Sequence, residues 1–287
     1  MVRPSVVSRI LWTAVAAALW TSEVMSQGRS SASGQWQPAR TADGQPDIQG
    51  SWRPDPKLGF GAAYDIEDGA PPDEHVITGV TAQPAPDVVV NPPVPYRPWA
   101  RTVRDENKKY AYRPTKLEQI DALSRCFEMG VPRQSFFGGF NVVQARGTVV
   151  ILYANSGYFN PRTINLDGRP HVDKKIKLWM GDSIGRWQGN TLVVDVTNLN
   201  DHAWYDVVGN FHSSDIHVTE HWTLVDANTI EYEVINDDPR VFTRPWSMKM
   251  TYLRDPEAGE QWEAACYEGE RDIDVILKRN EDVRPGR

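Results

Sequence analysis

The clearest alternation of apolar and polar positions runs from Ile216 to Val225. Ile216, Val218, Glu220, Trp222 and Leu224 fall on one face of a strand, and His217, Thr219, His221 and Thr223 on the other. Glu220 thus stands in the middle of an apolar stripe, where a carboxylate is costly unless it is paired or changes its protonation. The same two-residue period recurs over 142–145, 148–154, 162–166, 184–188, 191–197, 229–235, 246–254 and 261–267. Turn signals such as Gly189-Asn190 and Asp226-Ala227-Asn228 separate neighbouring runs. Nine strands on short hairpins predict a mainly β fold, an antiparallel up-and-down barrel or strongly curled sheet. Gly50-Ser51-Trp52 is a candidate tenth strand.

Before residue 140 the pattern is different. Residues 53–114 hold eleven of the 21 prolines and few apolar runs, which reads as an extended arm. Two short helices are expected there or just after it. One spans 98–108 with Pro98 in the first turn, and the other spans 115–124 with Thr115 as cap and Glu118 three residues on. The chain divides into a signal peptide (1–26), a Gly/Ser/Gln-rich lead-in (27–39), the Gly-x-Trp strand, arm and helices (40–139), the barrel (140–270) and a tail (271–287). The signal reading rests on Arg3 and Arg9, the apolar stretch 10–20, and the small residues Val24 and Ser26 before Gln27. It implies a periplasmic or secreted protein with no stable membrane insertion after cleavage.

Removing 1–26 leaves 29 basic and 37 acidic residues, a net charge of −8. That balance argues against nucleic acid as a partner. In an exported chain, Cys126 and Cys266 are expected to form a disulfide joining the end of a helix to the last strand.

Five segments together resemble a large family of exported bacterial proteins to which no activity is assigned. They are Asp43-Gly-Gln-Pro-Asp-Ile-Gln-Gly-Ser-Trp52, Gly130-Val-Pro-Arg133, Trp179 to Asp195, His217-Val-Thr-Glu220, and Asp238-Pro239 with Thr243-Arg-Pro-Trp246. The resemblance covers about residues 40–270. That family commonly has Arg where this chain has His221, so it lends His221 no role. Gly50-Ser-Trp52 and Gly185-Arg-Trp187 are also similar to the opening strand of lipocalin-like barrels, an analogy of fold alone.

The chemistry-bearing residues allow several readings. Glu220 is a candidate acid or base, and its rival role is a buried pair with Arg162, which shares a strand face with Ile164 and Leu166. Four of six histidines, His202, His212, His217 and His221, lie within twenty residues, among Asp201, Asp206 and Asp215. His217, His202 and Asp206 are therefore candidate catalytic groups, with Tyr158 as a hydroxyl donor. His217 and His221 are roughly 13 Å apart along a strand, too far to share an ion, and no tight ligand spacing occurs, so no metal site is expected. Phosphate and dinucleotide fingerprints are absent, and no cofactor is expected. The loop 198–215 is long for such a barrel and is a candidate lid or site wall. Trp204, Trp222, Trp246, Arg162 and Arg244 are candidate contacts for a small apolar or aromatic ligand. The expected function is to take such a molecule into a barrel pocket and act on it by acid–base catalysis without a cofactor, as a lyase, isomerase or hydrolase. Non-catalytic binding or carriage is the alternative, and a purely structural envelope role comes third.

Overall fold

The computed structural model describes residues 36–55, 65–67, 94–111, 113–136, 138–153 and 161–258. The expected signal peptide, most of the lead-in, strand 261–267 and the tail lie outside them. Within them the fold is mainly β, a closed barrel of nine strands in sequence order. The strands are β1 (Gly50–Pro54), β2 (Phe140–Ala145), β3 (Thr148–Tyr153), β4 (Arg162–Asn165), β5 (Asp182–Gln188), β6 (Thr191–Thr197), β7 (His217–Asp226), β8 (Thr229–Asp237) and β9 (Trp246–Arg254).

The Gly-x-Trp segment is an integral member of this ring. β1 pairs with β2 on one side and β9 on the other, antiparallel to both. One expectation needs correction: the barrel is not antiparallel throughout. β4 and β5 run parallel, with Ile164 opposite Ser183 and Asn165 opposite Ile184. Parity requires such a pair, because a closed ring of nine strands cannot alternate direction at every step. The chain pays for it with the long connection 166–181 in place of a hairpin.

The inward positions form the core. Val194, Val218, Ile230, Val234 and Ile164 are fully buried, and an aromatic cluster joins Phe140, Trp222, Tyr232 and Tyr252. Burying each such aliphatic side chain is worth roughly 1.5–3 kcal/mol. Trp52 is fully buried in the same core. Its Nε1 donates to the Ile48 carbonyl at 2.9 Å, and the Arg254 guanidinium covers its ring at 4.2 Å.

Outside the ring, α1 (Pro98–Tyr110) begins with proline at a tolerated first-turn position and ends with Lys108 and Lys109 near the negative end of its dipole. The second expected helix does not form. Residues 117–119 and 123–125 are separate 3-10 turns. Gln119, not Glu118, reaches back, its Oε1 accepting from the Thr115 N–H at 2.8 Å and hydroxyl at 3.1 Å. A short α2 (Arg133–Phe136) follows. Among the described residues no helix is long and apolar enough to cross a membrane.

Candidate functional site

The alternation of β7 puts Glu220 inside the barrel, fully buried, and β4 brings Arg162 to it across the interior. Arg162 Nη1 donates to Glu220 Oε1 at 3.0 Å, and Nη2 donates to Oε2. Arg162 also donates from Nε and Nη2 to Ser183 Oγ, and the Tyr232 hydroxyl donates to Glu220 Oε1 at 2.7 Å. Burial disfavours the Arg162 charge, but the charge and hydrogen bonds of Glu220 outweigh it and hold the guanidinium protonated well above its ordinary range. Burial pushes the surrounding hydroxyls of Tyr153, Tyr232 and Tyr252 up. The rival reading therefore describes the geometry. Glu220 is closed off from solvent and bonded on both oxygens, and Arg162 is spent on Glu220 and Ser183, so neither is available to a substrate. Trp222 packs between Tyr232 and Tyr252 as core.

The loop 198–215 folds back over one barrel end around Asp206. Asp206 is fully buried, and its oxygens accept from the Ile66 and Asn210 N–H groups at 2.8 and 3.0 Å, from Val208 N–H at 3.2 Å and from Asn210 Nδ2 at 2.5 Å. Asn210 in turn accepts from Tyr96 Oη and Arg104 Nε and donates to Asp65. Arg104 and Lys108 of α1 also bind Asp65. Burial, then the Asp65 carboxylate, push Asp206 up to about 7 despite the hydrogen bonds it receives. A value near neutrality suits proton transfer, but this carboxyl is fully buried and its bonds all go to the fold itself. Asp206 is the knot that ties arm, α1 and loop together. His212 is also buried, and burial pushes its imidazole down.

Of the expected catalytic residues that are described, His217 alone combines exposure with a carboxylate held in register. It lies on the outer face of β7, half exposed, with Nε2 against Asp195 Oδ1. Asp195 faces outward from β6, opposite Thr219. Its other oxygen meets His171 Nε2 at 3.3 Å, and His171 Nδ1 meets Asp182 Oδ2 at 3.0 Å. Arg169 clamps Asp182 at 3.1 and 2.5 Å, and the Val172 N–H adds a third bond. A carboxylate only accepts, so His171 is called on as a donor at both nitrogens. Burial works against the Asp195 charge, yet the hydrogen bonds and charges of His217 and His171 outweigh it and keep the carboxyl below its ordinary range. Burial likewise opposes the Asp182 charge, and Arg169, Val172 and His171 together hold it low. The result is a chain, Arg169–Asp182–His171–Asp195–His217, running outward along the barrel wall.

The remaining candidates scatter. His202 is exposed, 3.5 Å from Asp201 and tilted against Trp179. Trp204 bridges to Phe211 within the loop. Arg244 is exposed, and Asp238 is bound by Ser213, Arg240 and Val241 instead. Trp246 is buried, against Tyr205 and Phe242. Tyr158 and Cys266 lie outside the described residues, which contain no free cysteine. Among the described residues no group of three or more His, Cys, Asp or Glu side chains is arranged to hold a metal ion. Sequence reasoning missed Asp195 and His171. Asp195 carried one signal, a lone charge in the apolar strand Thr191–Thr197, while His171 sits in a connection without periodicity.

No family model, curated protein or solved structure matches this chain.

Proposed function

We propose that the protein is an exported acid–base enzyme, independent of a cofactor, that works on a small apolar or aromatic molecule at the outer wall of its barrel. The observation that carries this reading is the hydrogen-bonded series from Asp182 to His217. With Nε2–H donated to Asp195, the half-exposed imidazole of His217 keeps its lone pair on Nδ1, the tautomer a general base needs. Asp195 orients the ring and stabilises the imidazolium that forms when His217 takes a proton. His171, Asp182 and Arg169 fix Asp195 from behind. Lys177 donates to the Ser214 carbonyl, three residues before His217, and the exposed Ile176 and Leu178 flank that lysine as an apolar contact for substrate. Lyase, isomerase and hydrolase mechanisms each include routes that start from such a proton transfer. Export and a Cys126–Cys266 disulfide belong to the same reading, as does membership of the exported family that the five sequence segments resemble.

The test is a turnover screen over small aromatic esters, lactones and enolisable ketones, the last followed by deuterium exchange. His217→Asn should lower turnover by about 10²–10⁴-fold at an unchanged Tm, and Asp195→Asn should lower it less. Full activity in His217→Asn, or no turnover of any panel member by the wild type, refutes the reading.

A further inference from the structure

The barrel end beneath the loop 198–215 holds polar groups that no described residue satisfies. The register of β8 and β9 sets Asn236 opposite Trp246, and that of β7 and β8 sets Val218 opposite Asn236. All three are inward positions with at most 2 % exposure. Tyr205 comes down from the loop, buried, and meets the Trp246 ring edge to face at 5.3 Å. Four buried polar atoms of this group find no hydrogen-bond partner among the described residues: Asn236 Nδ2 and Oδ1, Trp246 Nε1 and Tyr205 Oη.

A native interior leaves few such groups, and an amide orphaned at both ends is rarer than a single missed bond. Asn236 is also not an accident of crowding. The same face of β8 carries Ile230, Tyr232 and Val234, and any aliphatic residue at 236 would continue that pattern without an orphan. Gln134 is the other described amide without a partner at either end, but only Asn236 has further unpartnered groups from facing elements beside it. The chemistry of the four atoms is specific. Asn236 offers a donor and an acceptor side by side, Trp246 only a donor, and Tyr205 a hydroxyl that serves as either. Their walls are aromatic, with Phe242 against Trp246 at 5.5 Å and His212 against Tyr205 at 5.4 Å. Asp238, buried two residues on from Asn236, is already held by four donors, and Asp237, next to Asn236, is exposed opposite His217.

We propose that Asn236, Trp246 and Tyr205 form an interior binding site for a small, uncharged, planar molecule carrying an amide-like donor–acceptor edge. The site is closed in this structure, so the ligand reaches it by displacing the loop 198–215. It lies inside the barrel wall and His217 outside it, so this site does not rest on the acid–base reading.

Benzamide is the probe, titrated into the intact protein and followed by isothermal calorimetry and thermal shift. Toluene, with the ring but no amide, and benzoate, with a charge, should each bind at least tenfold more weakly. Asn236→Leu should raise the Tm of the free protein, because it removes two orphans, and should abolish benzamide binding. Trp246→Phe keeps a ring and deletes one donor, and should weaken benzamide about tenfold, the value of one hydrogen bond. His217→Asn should leave benzamide binding unchanged. Failure of benzamide to bind up to its solubility overturns the proposal, as does equal binding to Asn236→Leu. A high-resolution structure grown with benzamide that shows ordered water alone on these four atoms overturns it too.

Discussion

Replacing Glu220 with glutamine changes one atom and tests whether that carboxylate is architecture. In the wild type Arg162 sends two N–H groups to Glu220 and two to Ser183, with both charged side chains at most 1 % exposed. Glutamine keeps one acceptor, which can still serve the Tyr232 hydroxyl, but turns the other into an NH₂ that confronts a guanidinium N–H. The Arg162 charge is then buried without a counter-ion, and it cannot escape by losing its proton. Breaking a buried pair from one side costs about 3–5 kcal/mol. At about 2–4 °C per kcal/mol for a chain of this size, the Tm should fall by roughly 6–20 °C. The variant Arg162→Met with Glu220→Gln should recover at least half of that loss, because the stranded charge is gone while the glutamine carbonyl still accepts from Tyr232. Urea unfolding followed by circular dichroism gives the free energies, and the turnover screen is run on the same preparations. Glu220→Gln should lower stability without changing turnover measured well below its Tm. A cost under about 0.5 kcal/mol would refute the argument from burial. Turnover lost at unchanged stability would return Glu220 to the catalytic role that its strand pattern first suggested.

Other outcomes follow from single features. The Asp206 carboxyl titrates at about 7 in the fold against an ordinary 3.8, so folding takes up a proton there between those values. Stability from this group is present below about pH 4 and is lost as pH rises through 7, by about 4 kcal/mol at most. Asp206→Asn should be destabilised at every pH, since an amide NH₂ would meet only donors, yet it should lack this slope; a constant difference from wild type between pH 4 and 7 refutes the assignment. His212, pushed down by burial, acts in the opposite sense and removes stability as pH falls below its ordinary 6.5. Gly209→Ala places a Cβ 2.4 Å from Asn107 Cβ at a φ of +86°, so it should cost well over 1 kcal/mol and expose the loop 198–215 to limited proteolysis. Cys126 and Cys266 should resist a thiol reagent in the folded, unreduced protein, and reduction should cost on the order of 4–5 kcal/mol; two reactive thiols before reduction would disprove the pairing.

What the sequence disclosed and what it hid divide along a physical line. Strand positions, the inward set of β7 to β9 and the Arg162–Glu220 rivalry were legible, because a two-residue period assigns each side chain to a face without knowledge of its neighbours. Pairing across the ring was not. His217 and Asp195 meet because β6 and β7 are in one particular register, and His171 joins them through a connection that carries no period at all. The parallel step from β4 to β5 was hidden for the same reason, since local pattern gives strands but not their direction. The tenth-strand candidate at Gly50 in fact supplied the ninth member and set the parity that demands that step. The helix expected over 115–124 failed because Asp121 binds Arg133 at 3.0 and 2.6 Å and caps the Leu123 N–H, long-range and local bonds that outcompete a cap read from spacing. The position least legible was Asn236. In sequence it is a polar residue near the end of a strand, where a polar residue excites no interest. Only the register that buries it opposite Trp246 turns it into a group whose missing partners need an explanation.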